Sequence, residues 1–269
     1  MRRGGNGVWR WVVSATLTLA LVGCGTAADD TGSGEGAESI DTPQLGTCRA
    51  LEPDDIMLTH DESDSVPCAG PHTAQTYAVG TMPPTFAESA YDSPEVGAYA
   101  FDTCTTQLQK FLGGDESVVM RSILSWAWFR PSPKAWAEGQ RWYRCDAVGG
   151  SEQSTALLNL PETARGILQG RPDDKWMACV EGSSVDAGEK VPCSKTHDWR
   201  AVTTIKLGEP ADAYPGDELV ETKTRNFCSD SVGAWLNYPI DFDYGFTWFH
   251  EAEWDAGNRR SVCWAKTSD

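Results

Sequence analysis

Nine cysteines stand in a chain of 269 residues, and eight of them fall into two sets of four with matching surroundings. The first set is Cys48, Cys68, Cys104 and Cys145; the second is Cys179, Cys193, Cys228 and Cys263. "VPCAGPH" places His72 four residues after Cys68, and "VPCSKTH" places His197 four residues after Cys193. "WAEGQRWYRC", from Trp136 to Cys145, shares Trp, Gly, Arg and Cys at equal spacing with "WDAGNRRSVC", from Trp254 to Cys263. Chance does not reproduce so many spacings. The folded body is therefore expected to be two copies of one module, 47–147 and 176–266, joined by a connector at 148–175. Extending the match back to "WFRPSPKAW" and "WFHEAEW" requires the second copy to lack two residues at the proline loop of the first.

The N-terminus reads as an export signal, which gives the even cysteine number its meaning as a disulfide framework. Arg2, Arg3 and Arg10 precede a mostly apolar run from Trp11 to Val22. That run is about a dozen residues, against the ~20 a membrane-spanning helix needs, so residues 1–23 form a cleaved leader. Arg2 and Arg3 lack the apolar residue that a twin-arginine signal places soon after the pair, so general secretion is expected. "LVGC", Leu21 to Cys24, resembles the lipobox of bacterial lipoproteins. That resemblance implies a lipid on the Cys24 thiol, cleavage before Cys24, and attachment to the outer face of the cytoplasmic membrane, since several acyl chains anchor stably. Residues 24–46 are rich in Gly, Ser and acid with almost no large apolar side chain, and read as a disordered tether.

Each module reads as β-α-β-β, which makes the class α+β. "AQTYAVG" and "WRAVTTIKL" carry the β-branched and aromatic residues of a strand. A helix follows, with Ser93 or Asp217 as the expected cap. Val96, Tyr99, Ala100, Cys104, Leu108, Phe111 and Leu112 make one apolar stripe; Leu219, Val220, Phe227, Cys228, Val232, Trp235 and Leu236 make the other. Two strands meeting at Gly139 or Gly257 close each copy. Four cysteines allow three pairings. A helix stripe packs on the sheet, so Cys104 is expected to bond Cys145 and Cys228 to bond Cys263. Cys48–Cys68 and Cys179–Cys193 remain. In the connector only Leu157 to Leu160 is apolar enough to dock.

Composition narrows function. The 22 basic and 39 acidic residues give a net charge of −17, and removing the leader's arginines makes the chain more acidic still. Such a surface repels nucleic acid. A repeated Cys-x3-His could be half of a zinc site, but a cysteine in a disulfide is no ligand. His72 and His197 are therefore expected to be structural, with no metal and no cofactor. His60 and His250 have no counterparts. There is no C-x-x-C pair for thiol exchange, and no G-x-S-x-G, H-E-x-x-H or S-x-x-K for hydrolysis. The expected protein is not an enzyme, with a zinc-dependent hydrolase as the remote alternative. Trp136 and Trp254, with Arg141 and Arg259 beyond the turn glycines, are the candidate binding residues. They either build small cores or present an aromatic and cationic surface to wall glycan or protein.

The paired "VPC"-x3-His loops, the helix cysteine and the terminal G-x-R…C, in an exported lipoprotein of actinobacterial style, resemble the septum formation-related domain family over most of 47–266. The resemblance implies an envelope role near the division septum and supplies no catalytic residues. The expected function is binding or scaffolding by a membrane-anchored envelope lipoprotein. Its expected partners are an envelope or division protein, or peptidoglycan.

Overall fold

The structure, a computed structural model, describes residues 43–151 and 153–267. The leader, the lipobox with Cys24 and most of the tether lie outside the described residues. Pro43–Gly46, assigned to the tether above, belong to the fold. The Gly46 amide donates to the Thr76 carbonyl at 2.8 Å.

Two antiparallel sheets follow one another along the chain. In the first, β1 (Cys48–Arg49), β2 (Ala74–Thr81), β3 (Ser125–Phe129) and β4 (Trp142–Val148) lie in the order β1-β2-β4-β3. In the second, β5 (Ala178–Glu181), β6 (Glu189–Pro192), β7 (Trp199–Lys206), β8 (Tyr244–Thr247) and β9 (Arg260–Lys266) lie in the order β6-β5-β7-β9-β8. A long helix packs on each: α1 (Pro94–Leu112) and α4 (Asp217–Trp235). The class is α+β. Each half has more strands than the β-α-β-β reading, because short edge strands form around the first disulfide.

The helices show why local pattern suffices for one and not for the other. In α1, Val96, Ala100, Cys104, Leu108, Phe111 and Leu112 are buried, and Gly113 ends the helix at φ 76°, where its amide bonds the Gln109 carbonyl. Left-handed backbone of this kind suits glycine at a helix C-terminus. Ser93 holds the N-cap position without a capping bond. In α4 the N-cap is Gly216, and Asp217 is the first helical residue. The buried line there is Val220, Thr224, Cys228 and Val232. Leu219 and Trp235, expected on the stripe, are 44% and 50% exposed. Thr224 takes a core position because its hydroxyl donates to Ser261 Oγ at 2.9 Å. A stripe read from apolar residues alone omits a paired hydroxyl.

The bonded pairs are Cys48–Cys68, Cys104–Cys145, Cys179–Cys193 and Cys228–Cys263. Cys104–Cys145 ties α1 to β4, and Cys228–Cys263 ties α4 to β9. Closing loops of 41 and 35 residues stabilises each half by about 3–4 kcal/mol. The halves share a finer feature: β2 bulges between Thr76 and Ala78, and β7 bulges between Ala201 and Thr203. Tyr77 and Val202, the extra residues, lie at equal distances from Cys68 and Cys193. A bulge re-aims a side chain, and here it turns both toward their helix. Tyr77 donates to the Cys104 carbonyl at 2.8 Å.

The last hairpin corrects the alignment. Trp128 faces Cys145 across β3 and β4, and Phe246, not Trp248, faces Cys263 across β8 and β9. The final hairpins are equal in length, so the proline loop has lost nothing in the second copy. The "WF" dipeptides are a coincidence of composition. The turn in each hairpin is a short helix, α3 (Pro133–Ala137) or α5 (Glu251–Asp255), capped by Ser132 or His250.

The connector is part of the first core. Leu160, Ala164 and Leu168 are buried with Tyr77, Leu108 and Phe111, well beyond the Leu157–Leu160 stretch expected to dock. A further short helix, α2 (Glu116–Met120), joins the halves. Met120 packs against Ala178, Val180 and Trp199. The Ala178 amide donates to Arg121 at 2.8 Å and the Ile123 amide to Trp176 at 2.9 Å. Glu116 pairs with Arg260. The described residues all belong to one compact unit.

Candidate functional site

The candidate binding residues Trp136, Arg141, Trp254 and Arg259 form two internal staples. Trp136 is 5% exposed and Trp254 3%, so neither ring presents a surface. The Trp136 indole donates to the Ser89 carbonyl at 3.0 Å, and that of Trp254 to Asp212 at 3.2 Å. Arg141 lies 4.0 Å over the Trp136 ring and Arg259 3.7 Å over that of Trp254. Arg141 donates to the carbonyls of Trp136, Gln140, Phe86 and Ala87. Arg259 donates to those of Trp254, Asn258, Glu209 and Pro210. Each guanidinium thus satisfies the end of a short helix and the loop before the long one. Of the two readings of these residues, burial fits the small-core one: each indole packs under a guanidinium that bonds four carbonyls.

His72 and His197 are both buried. Nδ1 of each donates to a carbonyl two residues back, Gly70 at 2.9 Å and Lys195 at 2.7 Å. The neighbouring Cys68 and Cys193 are in disulfides. Among the described residues no group of three or more His, Cys, Asp or Glu could hold a metal ion. His250 is at the surface, its Nδ1 3.2 Å from Asp217.

One buried charge cluster lies in the first half. Arg144 pairs with Asp61 and, at 2.9 Å, with Asp146, which also accepts from Thr76 at 2.6 Å. Burial pushes the Asp146 carboxyl up, against Arg144 and Thr76. Burial also raises Asp61, but bonds from Arg144 and Ser63 outweigh it and hold that carboxyl below its usual value. These charges pair with one another inside the fold, with Arg144 Nε and Asp146 Oδ2 in ionic contact but not hydrogen-bonded.

Among the described residues, one arrangement open to solvent is a cleft of about 550 Å³ where the connector and α2 meet the second sheet. Arg121, Arg171 and Arg200 line it, with Asp174, His197 and Trp235. Arg121 donates to the Ser117 and Val202 carbonyls, each at 3.2 Å, which fixes its guanidinium at the cleft wall. Burial pulls the Arg121 guanidinium below its usual value, with Asp115 opposing and neighbouring Arg200 assisting. Arg200 pairs with Asp174. The bond from Arg200 holds the Asp174 carboxyl down, and the charges of Arg200 and Arg171 add to this. Arg171 is exposed. Among the residues lining the cleft, three arginines stand against one carboxylate, Asp174, in a chain of net charge −17. The sequence reading missed all three. They sit in "MRS", "QGRPDD" and "DWRAV", and no periodicity connects segments so far apart.

Fold and cleft together define a tandem, disulfide-stapled α+β protein whose halves are one body with a single kind of repeat. The chain belongs to the septum formation family: the family's model matches residues 18–130 and again residues 120–263. No curated protein and no solved structure matches it. Membership points to a role in cell division or the cell envelope. Among the described residues no helix is long and apolar enough to cross a membrane.

Proposed function

We propose that this protein is a lipid-anchored binding or scaffolding protein of the cell envelope, acting in septum formation, with the arginine cleft as its recognition surface. The observation that carries this reading is the convergence of Arg121, Arg171 and Arg200 on one open cleft of an acidic protein. Arginine is the side chain best suited to planar, two-pronged recognition of carboxylate or phosphate. Self-repulsion among cations is a standing cost that a bound anion removes. Family membership supports the setting, and "LVGC" before Cys24 supports the anchor. The wall-glycan reading loses its aromatic platform with the burial of Trp136 and Trp254. The zinc-hydrolase reading loses its thiolates to the disulfides.

A photo-crosslinking residue at position 235, in cells carrying the whole chain, tests the cleft. The expected result is a discrete envelope partner whose capture fails in Arg171→Glu and Arg200→Glu. Equal capture in those variants would remove the cleft from the function. Acyl labelling tests the anchor: Cys24→Ser should abolish the label and release the protein from membranes.

A further inference from the structure

We infer that the cleft binds an extended, acidic peptide segment along the path that the connector follows across the first half. The inference deepens the reading of the cleft as a recognition surface and rests on it.

The duplicated fold supplies the template. In the first half the connector runs over the sheet edge and the end of α1, held by its backbone. Leu158 donates to the Gly149 carbonyl at 2.7 Å, and Leu160 to that of His72 at 2.8 Å. The Ala164 amide donates to Gln75 Oε1 at 2.9 Å. Gly166 and Leu168 donate to the carbonyls of Phe111 and Leu112, at 2.8 and 2.9 Å.

The repeat maps each of these hosts onto the second half. Counted from the matched cysteines, Gly149 corresponds to Thr267, His72 to His197, Gln75 to Arg200, Tyr77 to Val202 and Phe111 to Trp235. Backbone bonding agrees with the count. The Gly149 amide donates to the Thr73 carbonyl, and the Thr267 amide donates to Asp198, which corresponds to Thr73. All five counterparts line the cleft. His197 and Val202 are buried at the floor of the cleft, and the contrast between the halves lies at the helix end. Phe111, under the connector, is 6% exposed, and Trp235 is 50% exposed.

The differences between the two surfaces state the guest's chemistry. Gln75 is neutral and serves the backbone amide of Ala164 and the hydroxyl of Thr163. Arg200 replaces it, with Arg121 and Arg171 beside it. A segment on this path therefore carries carboxylates on either side of the place of Ala164, where the connector carries Thr163 and Arg165. Its apolar side chain would sit over Val202 and Trp235, as Leu160 and Leu168 sit against Tyr77 and Phe111. The Arg200–Asp174 pair does not block this. Asp174 is half exposed, and an exposed ion pair contributes little to stability, so a guest carboxylate can displace it.

The probe is a fluorescent peptide of connector residues 157–168 carrying Thr163→Glu and Arg165→Glu; its control carries Gln at both positions. Each is titrated against the full chain by anisotropy at low salt, with inorganic polyphosphate as a third probe. The expected result is binding of the Glu peptide at least about tenfold tighter than the Gln peptide. Arg171→Gln and Arg200→Gln should lose it, and Trp235→Ala should weaken it, with unchanged melting temperatures. Equal binding of both peptides, or binding indifferent to Arg171 and Arg200, overturns the inference. So does binding of polyphosphate alone, which would make the cleft an anion site and no peptide groove. If crosslinking from position 235 captures a partner in cells while the Glu peptide fails, the recognition reading stands and the peptide inference falls. If neither occurs, both fall.

Discussion

Arg259 lies over Trp254, 3.7 Å from the ring centroid, and donates to the main-chain carbonyl of that same tryptophan. Arg141 and Trp136 repeat the arrangement. The intervening glycine makes it work. Gly139 and Gly257 adopt φ of 92° and 113°, which folds the chain back sharply enough for the arginine to reach the residue five before it. Trp136→Ala and Trp254→Ala should each cost about 3–5 kcal/mol in denaturant unfolding, the range for removing a buried aromatic. Arg259→Lys should also destabilise, because an ammonium cannot serve four carbonyls while stacked. Loss of a ligand by Trp254→Ala without loss of stability would contradict the staple.

Thr224 and Ser261 make a buried hydroxyl pair between α4 and β9. Removing one partner strands the other. Thr224→Val should cost about 1–3 kcal/mol, and adding Ser261→Ala should recover part of the loss. A double-mutant cycle in urea reads the coupling. Additive costs would show that the pair contributes nothing as a pair.

Acid sensitivity follows from Asp61. Its carboxyl lies below the usual value, because bonds from Arg144 and Ser63 together exceed the opposing effect of burial. A lowered folded value means that the ionised group stabilises the fold above the unfolded carboxylate pKa, near 4. That contribution disappears as pH falls below about 4 and through the folded value. Stability measured from pH 6 to pH 2 should therefore drop less steeply for Asp61→Asn than for the parent. Asp146, raised by burial, works in the opposite direction, so Asp146→Asn should not flatten the same limb.

The helix-to-sheet bridges should outweigh the loop bridges. Replacing Cys228 and Cys263 together by Ala opens a 35-residue loop and should cost about 3–4 kcal/mol. The 14-residue bridge Cys179–Cys193 should cost somewhat less. Non-reducing peptide mapping should find all four pairs within their own halves. A bridge between the halves would contradict the fold.

Matching cysteine spacing carried the duplication, and the apolar stripe around Cys104 carried α1, because covalent partners and helical period are both properties of order along the chain. The same logic failed where position in space decides. Leu219 and Trp235 fit a helical stripe and remain exposed, since α4 rests on the line through Val220 and Val232. "WF" matched by letter, but strand register pairs Phe246 with Cys263. Trp136 and Trp254 could be read as surface or core until packing placed loops over them.

The amino-acid order by itself determined an α+β repeat stapled by its cysteines, because spacing and periodicity act over a few turns or one loop. Only the tertiary structure decided that Arg121, Arg171 and Arg200 share a cleft and that the connector fills its counterpart. Those residues come from separate segments, and the electrostatic field they create depends on distances that exist only once the two sheets have docked.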